Sequence, residues 1–134
     1  MQGVVIRPML FNDVDGVVEW LVQVPLWQRY GLSEAGMSET FKRALKRGEW
    51  LIVAEVKSAK HASGSKYPCG FAWCQASAAF GQSGYLRLLG VEAAFSGQGV
   101  GAQLLGEAER FVAAASNDLF LLVADFNTAA QRFY

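Results

Sequence analysis

Histidine is nearly missing from this 134-residue chain: there is one, His61, beside two cysteines, Cys69 and Cys74. A Ser-His-Asp triad therefore has little support. A zinc site would want more Cys and His than this, so no metal is expected. Cys69 and Cys74 fall in one strand-like stretch and read as reduced core thiols. No apolar run is long enough to cross a bilayer, so no membrane partner is expected. The start, Met1-Gln2-Gly3, lacks a basic segment followed by an apolar one. Export is therefore not expected, and the expected location is cytoplasmic. Charge of one sign is also lacking: 12 Lys and Arg balance 12 Asp and Glu, for a formal net charge of zero. No global field recruits nucleic acid, and no nucleic-acid partner is expected.

What remains is an apolar, compact chain. Hydrophobic residues make up 52% and charged residues 18%, the composition of a folded chain rather than a disordered one. The length suits a single domain over residues 1–134.

Val4–Arg7 reads as a strand stopped by Pro8. Asn12 or Asp13 can cap a helix whose apolar face is Val14, Val17, Val18, Leu21 and Val22, ended by Pro25. A second helix is predicted from Ser38 through Phe41, Ala44 and Leu45, with Gly48 as its stop. Trp50–Val56 is a strand, Lys57–Pro68 a polar loop, Cys69–Ala78 the returning strand and Gly84–Val91 the next. A long helix is predicted over 100–115, with Val100, Leu104, Ala108, Phe111, Val112 and Ala115 on one face. Leu119–Ala124 is a nearly all-apolar strand of the kind buried on both sides. Asn127 can cap a last helix that runs to Tyr134. The order β-α-α-β-β-β-α-β-α indicates an α+β fold, an α/β/α layered mixed sheet.

The informative segment runs from Val91 to Ala102, with Gly97, Gly99 and Gly101 at alternate positions between a strand and an amphipathic helix. Glycines let a ligand approach the backbone closely. The first N–H groups of the helix lack internal acceptors, and the helix dipole adds positive potential. Such a mouth accepts phosphate oxygens without a lysine. A P-loop does not fit, because no Gly-Lys-Ser/Thr follows. A dinucleotide fingerprint does fit as Gly97-x-Gly99-x-x-Ala102, with Asp125 ending the next strand. Against it, Glu92–Ser96 intervene before the first glycine where that turn is tight, and no second half-domain follows.

This segment resembles the acyl-CoA signature of the GCN5-related N-acetyltransferases (GNAT), Arg or Gln, two residues, Gly, any residue, Gly or Ala. Gly99 and Gly101 match its glycines. Ser96 stands at the Arg/Gln position and Ala93 at a position where the family usually has proline. Asn127-Thr128-Ala129-Ala130-Gln131-Arg132-Phe133-Tyr134 resembles the family's Asn-x-x-Ala-x-x-Phe-Tyr helix, and Ile6-Arg7-Pro8 with the following helices is also family-like.

The resemblance implies an N-acetyltransferase that moves an acetyl group from acetyl-CoA to a primary amine of a small molecule or protein, by direct attack in a ternary complex. It implies cofactor contacts at Leu89, Val91, Ser96, Gly97, Gln98, Gly99, Val100, Gly101, Ala102 and Asn127. Tyr134 takes the role of the acid that protonates the leaving thiolate. Glu92, Asp125 or a water relay takes the amine proton. Trp27, Tyr30 and Phe80 are candidate walls of the acceptor pocket. Family members continue past the position of Tyr134 with further strands. The expectation is a truncated form, or a homodimer in which a second copy completes the open edge of the 119–124 strand. A non-catalytic acyl-CoA-binding module and a dinucleotide-dependent enzyme are the alternatives.

Overall fold

The computed structural model describes residues 3–23, 28, 31, 33–57, 66–79, 83–95, 97–113 and 119–120, with the backbone alone at 57, 76–79, 83–85, 112–113 and 119–120. In chain order they form β1 (Val5–Pro8), a 3-10 turn (Phe11–Asp13), α1 (Val14–Leu21), α2 (Glu34–Lys46), β2 (Trp50–Lys57), β3 (Lys66–Ala79), β4 (Ser83–Val91), a second 3-10 turn (Ala93–Phe95), α3 (Val100–Ala113) and β5 (Leu119–Phe120). The strands make one five-stranded sheet in the order β1-β2-β3-β4-β5. Neighbours are antiparallel from β1 to β4, and β5 joins β4 in parallel. The sheet is mixed, as the element order suggests.

Strand alternation gives the sheet two apolar faces, and each has its own core. Val14, Val17, Val18 and Leu21 of α1 join Met37, Phe41 and Ala44 of α2 over Leu51, Val53, Phe71 and Trp73. Phe41 meets the Phe71 ring edge-on with centroids 5.2 Å apart, an arrangement that adds about 1 kcal/mol beyond area burial. On the other face Val100, Leu104 and Ala108 of α3 cover Ile52, Ala54, Cys69, Ala72 and Cys74. Phe111 stacks on Trp50 at 4.4 Å. The layers are therefore α1 and α2, sheet, α3. Both cysteines are free and buried. Burial pushes the Cys69 thiol up to about 11 and the Cys74 thiol up to about 12, which suits inert core residues.

Three local expectations are corrected. Asp13 stands at the N-cap of α1, but its side chain makes no capping hydrogen bond to that helix. Its carboxylate is 5% exposed, takes both Arg7 guanidinium nitrogens at 2.8 Å and accepts the Leu10 N–H at 2.7 Å. Arg7 also donates to Glu55 at 2.6 Å, so one guanidinium ties β1 to the turn and to β2. The second helix starts at Glu34, not Ser38, because Ser33 Oγ accepts the Gly36 N–H at 3.1 Å. That first turn contains no buried apolar residue, so its periodicity begins only at Met37. The loop predicted over Lys57–Pro68 is shorter, since β2 includes Lys57 and β3 opens at Lys66. Pro68 fits inside a strand because the β2–β3 register slips between Ala54 and Glu55, a place where a missing N–H is tolerated. Its carbonyl accepts the Trp20 indole N–H at 3.0 Å. The strand predicted over 119–124 is described at Leu119–Phe120, and the helix predicted from Asn127 lies outside the described residues.

Burial by itself raises the Asp13 pKa, but the Arg7 and Leu10 hydrogen bonds outweigh it and hold the carboxyl below its usual 3.8. The pairing therefore stabilises fully above that value and is lost as pH falls through the lower folded pKa. Asp13→Asn is expected to cost about 2 kcal/mol at neutral pH, since Arg7 keeps Glu55. Urea unfolding as a function of pH checks this: the gap between wild type and variant should be flat at neutral pH and close in acid.

Candidate functional site

The end of β4, the second 3-10 turn and the mouth of α3 lie side by side, with Val91, Phe95 and Val100 in one cluster. Gly97 and Gly99 have φ of 77° and 85°, a left-handed region that glycine enters without strain. A Cβ at either would meet nothing within 4 Å, so it is backbone conformation that requires glycine there, and the space beyond is open. Gly99 O accepts the Gln103 N–H at 3.1 Å, the first rung of α3. The amides of Gly99, Val100, Gly101 and Ala102 therefore precede the helical ladder and have no acceptor within it. Val100 anchors this turn in the core, while Gly97, Gln98, Gly99 and Ala102 are exposed. Gln98 Nε2 reaches back to Ala94 O at 3.4 Å.

One glycine sets how close this mouth stands to the sheet, and a second opens the opposite face. A Cβ on Gly70 of β3 would lie 3.0 Å from Leu104 Cδ1 and 3.3 Å from Val100 Cγ1. A Cβ on Gly90 of β4 would lie 2.7 Å from Phe71 Cε1 on the opposite face. With hydrogen at Gly70, α3 rests directly on β3, and hydrogen at Gly90 admits the Phe71 ring on the other face.

The edge of β4 follows from its hydrogen bonding. Glu92 N donates to Cys69 O at 2.8 Å. In an antiparallel ladder successive residues alternate in direction. Gly90 and Leu88, paired with Phe71 and Trp73, therefore turn their peptide groups toward β3. Leu89 and Val91 turn theirs away from it. Among the described residues, β5 pairs β4 only at Gly84 and Tyr85, short of these two.

Glu92 lies on the other face, where its Oε1 accepts the Tyr67 hydroxyl at 2.6 Å. Both line a cleft of about 660 Å³ with Trp20, Glu19, Lys66 and Glu55. Burial first, then the bond to Glu92, raises the Tyr67 phenol above its usual 10. The structure thus brings together Leu89, Val91, Gly97, Gln98, Gly99, Val100, Gly101 and Ala102, with Glu92 adjoining on the opposite face. Ser96, Asp125, Asn127, Tyr134, Trp27, Tyr30 and Phe80 lie outside the described residues. One residue that the sequence reading passes over is Arg87. Its guanidinium carbon stands 4.5 Å from the centroid of the Trp73 ring. Its only signal in sequence is a charge interrupting the apolar run Leu86-Arg87-Leu88-Leu89.

A profile of the acetyltransferase (GNAT) family matches residues 14–134. No curated protein matches the sequence. Among solved structures, a transcriptional regulator from Bacillus halodurans C-125 is 22% identical with a TM-score of 0.74, over 98% of this chain and 89% of that one. An aminoglycoside N-acetyltransferase, AAC(6')-Iy in complex with CoA, is 16% identical with a TM-score of 0.75, over 99% and 85%. The NatC complex bound to Gag peptide and CoA is 17% identical with a TM-score of 0.68, over 100% and 82%. At such identities the likeness is one of fold.

The Tyr67–Glu92 bond makes its own prediction. In an alkaline absorbance titration, one of the four tyrosines should ionise well after an ordinary phenol, and Tyr67→Phe should remove that late component. The variant should lose about 1 kcal/mol of stability. With the folded pKa raised, that loss is full at neutral pH and fades as pH rises through it.

Proposed function

The chain belongs to the acetyltransferase (GNAT) family, a family of acyltransferases, and on that premise we propose that it transfers an acetyl group from acetyl-CoA to a primary amine by direct attack in a ternary complex. The observation that carries this reading is the closeness of two sets of backbone groups: the outward edge of β4 at Leu89 and Val91, and the open amides at the mouth of α3, whose Val100 packs in one cluster with both.

In this reading the pyrophosphate is held by the amides from Gly97 to Ala102, with the dipole of α3 behind them and the Ser96 hydroxyl beside them. The pantetheine arm lies along β4 and pairs with Leu89 and Val91, which are free to bond away from β3. An N–H of the same edge polarises the thioester carbonyl, stabilising the oxyanion as the amine adds. The new C–N bond forms, the C–S bond breaks, and the thiolate takes a proton from Tyr134. A phenol with a pKa of about 10 is an acid of suitable strength for a thiolate of about 8.5. The amine loses its proton to Glu92, Asp125 or a water relay. Asn127 contacts the pantetheine, while Trp27, Tyr30 and Phe80 wall the acceptor pocket.

A non-catalytic acyl-CoA binder is the second reading, favoured by Ser96 standing where the family signature has Arg or Gln. Calorimetry with acetyl-CoA, followed by thiol release with a panel of amines, separates the two. Heat with turnover supports the transferase, heat without turnover supports the binder, and no heat with any coenzyme A species refutes both. Gly99→Ala should raise the acetyl-CoA KM roughly tenfold, because the side chain penalises the left-handed backbone by about 1–2 kcal/mol. Its kcat should change much less.

A further inference from the structure

Arg87 is the extra residue of a bulge. The β3–β4 register steps from Trp73↔Leu88 to Cys74↔Leu86 and gives Arg87 no partner. Leu86 and Cys74 belong to the core beneath α3, whereas Leu88 and Trp73 pack with the core of α1 and α2. The bulge therefore places Arg87 on the α1–α2 face beside Leu88, where simple alternation would give that face only one of the two.

The side chain stands on a fixed platform. Trp73 is 3% exposed, its indole N–H donates to Glu49 Oε1 at 2.9 Å, and its ring lies 5.9 Å from Phe41. The Arg87 guanidinium carbon is 4.5 Å from the centroid of that ring. A guanidinium engaged through its π face keeps its N–H donors available in its own plane. The other described arginines, Arg7, Arg43, Arg47 and Arg110, each hold a carboxylate. Arg87 is exposed and, among the described residues, has no acidic partner. It precedes Leu89 by two strand residues, about 7 Å along β4, on the face away from α3.

Resting on the acyl-transfer reading, we propose that Arg87 binds a carboxylate on the acceptor, so that the substrates are small amines of the amino-acid type. The planar fork matches one carboxylate in two parallel hydrogen bonds. Its platform on Trp73 fixes it over β3 and β4 on the α1–α2 face, two residues before the strand position where the thioester arm begins to pair. The amine is thereby presented to the thioester with the charge of its carboxylate already paired, and Arg87 sets specificity without touching the reacting atoms.

The test compares acceptors that differ only in the carboxylate: L-phenylalanine against 2-phenylethylamine, L-tryptophan against tryptamine, glycine against methylamine. Phosphoethanolamine and kanamycin complete the panel. Wild-type enzyme should prefer the carboxylate member of each pair. Arg87→Gln should raise the KM for those acceptors tenfold or more, the effect of losing a charge-assisted hydrogen bond. The KM for acetyl-CoA and turnover of the amines without a carboxylate should not change, and Arg87→Lys should rescue part of the loss. Equal thermal midpoints establish that the variants are folded. Preference for kanamycin, for phosphoethanolamine or for the amine lacking a carboxylate overturns the proposal, as does an equal loss in Arg87→Gln on both members of a pair. Acetyl-CoA binding with no acceptor acetylated overturns it too. Absence of acetyl-CoA binding overturns the acyl-transfer reading itself, so the two failures are distinct.

Discussion

The contact on which the site depends is that of α3 with Gly70. Hydrogen in place of a methyl there lets Leu104 and Val100 rest on the β3 backbone. Gly90, a strand away, leaves the same kind of gap on the opposite face, and Phe71 fills it. The two glycines thin the sheet from both sides where β3 and β4 run together. The first turn of α3, with amides that lack helical acceptors, packs through Val100 in one cluster with Val91 of β4. The left-handed turns at Gly97 and Gly99 make the short connection possible. Packing in the core thus sets the geometry of a surface that has no charged side chain of its own at its described positions.

The rest of the molecule holds that sheet in place. Arg7 clamps β1, the first 3-10 turn and β2 through Asp13 and Glu55. Trp20 bonds the carbonyl of Pro68 and so ties α1 to the start of β3. Glu49 takes the Trp73 indole and the Gln75 amide, locking the loop before β2 onto β3. Each tie replaces water at a half-buried polar group with a geometrically defined partner, which orders the structure more than it adds net energy. Polar ties of this kind stand on the α1–α2 side and around the sheet ends. The α3 side is held by apolar contacts, so α3 can rest on the sheet with little polar desolvation.

Much of this was legible in the chain. The valines of α1 and the Phe41–Leu45 face of α2 repeat at helical spacing, and all fall in one core. Gly48 stops α2 with φ of 75°, and the glycines before α3 stand at its mouth. Family membership, anticipated from Gly99, Gly101 and the 127–134 segment, agrees with the match over residues 14–134. What escaped the sequence was non-local. Asp13 looks like a cap because its neighbours are helical, but its partners are Arg7 and, through Arg7, a residue of β2 far along the chain. Pro68 looks like a loop residue until the slipped β2–β3 register gives it a place. Arg87 sits in a strand whose alternation hides a bulge, and only pairing with β3 reveals which face it takes. Pattern along one strand cannot report register between two.

The central claim is that acetyl-CoA binds along main-chain groups of β4 and α3. It is tested most directly by amide chemical-shift mapping of isotope-labelled protein during titration with acetyl-CoA. The account predicts the largest shifts at the amides of Leu89, Val91, Gly99, Val100 and Gly101, with Glu19 and Trp20 in the opposite cleft little changed. Saturable shifts confined to that cleft, with Gly99 and Gly101 unmoved, would contradict it.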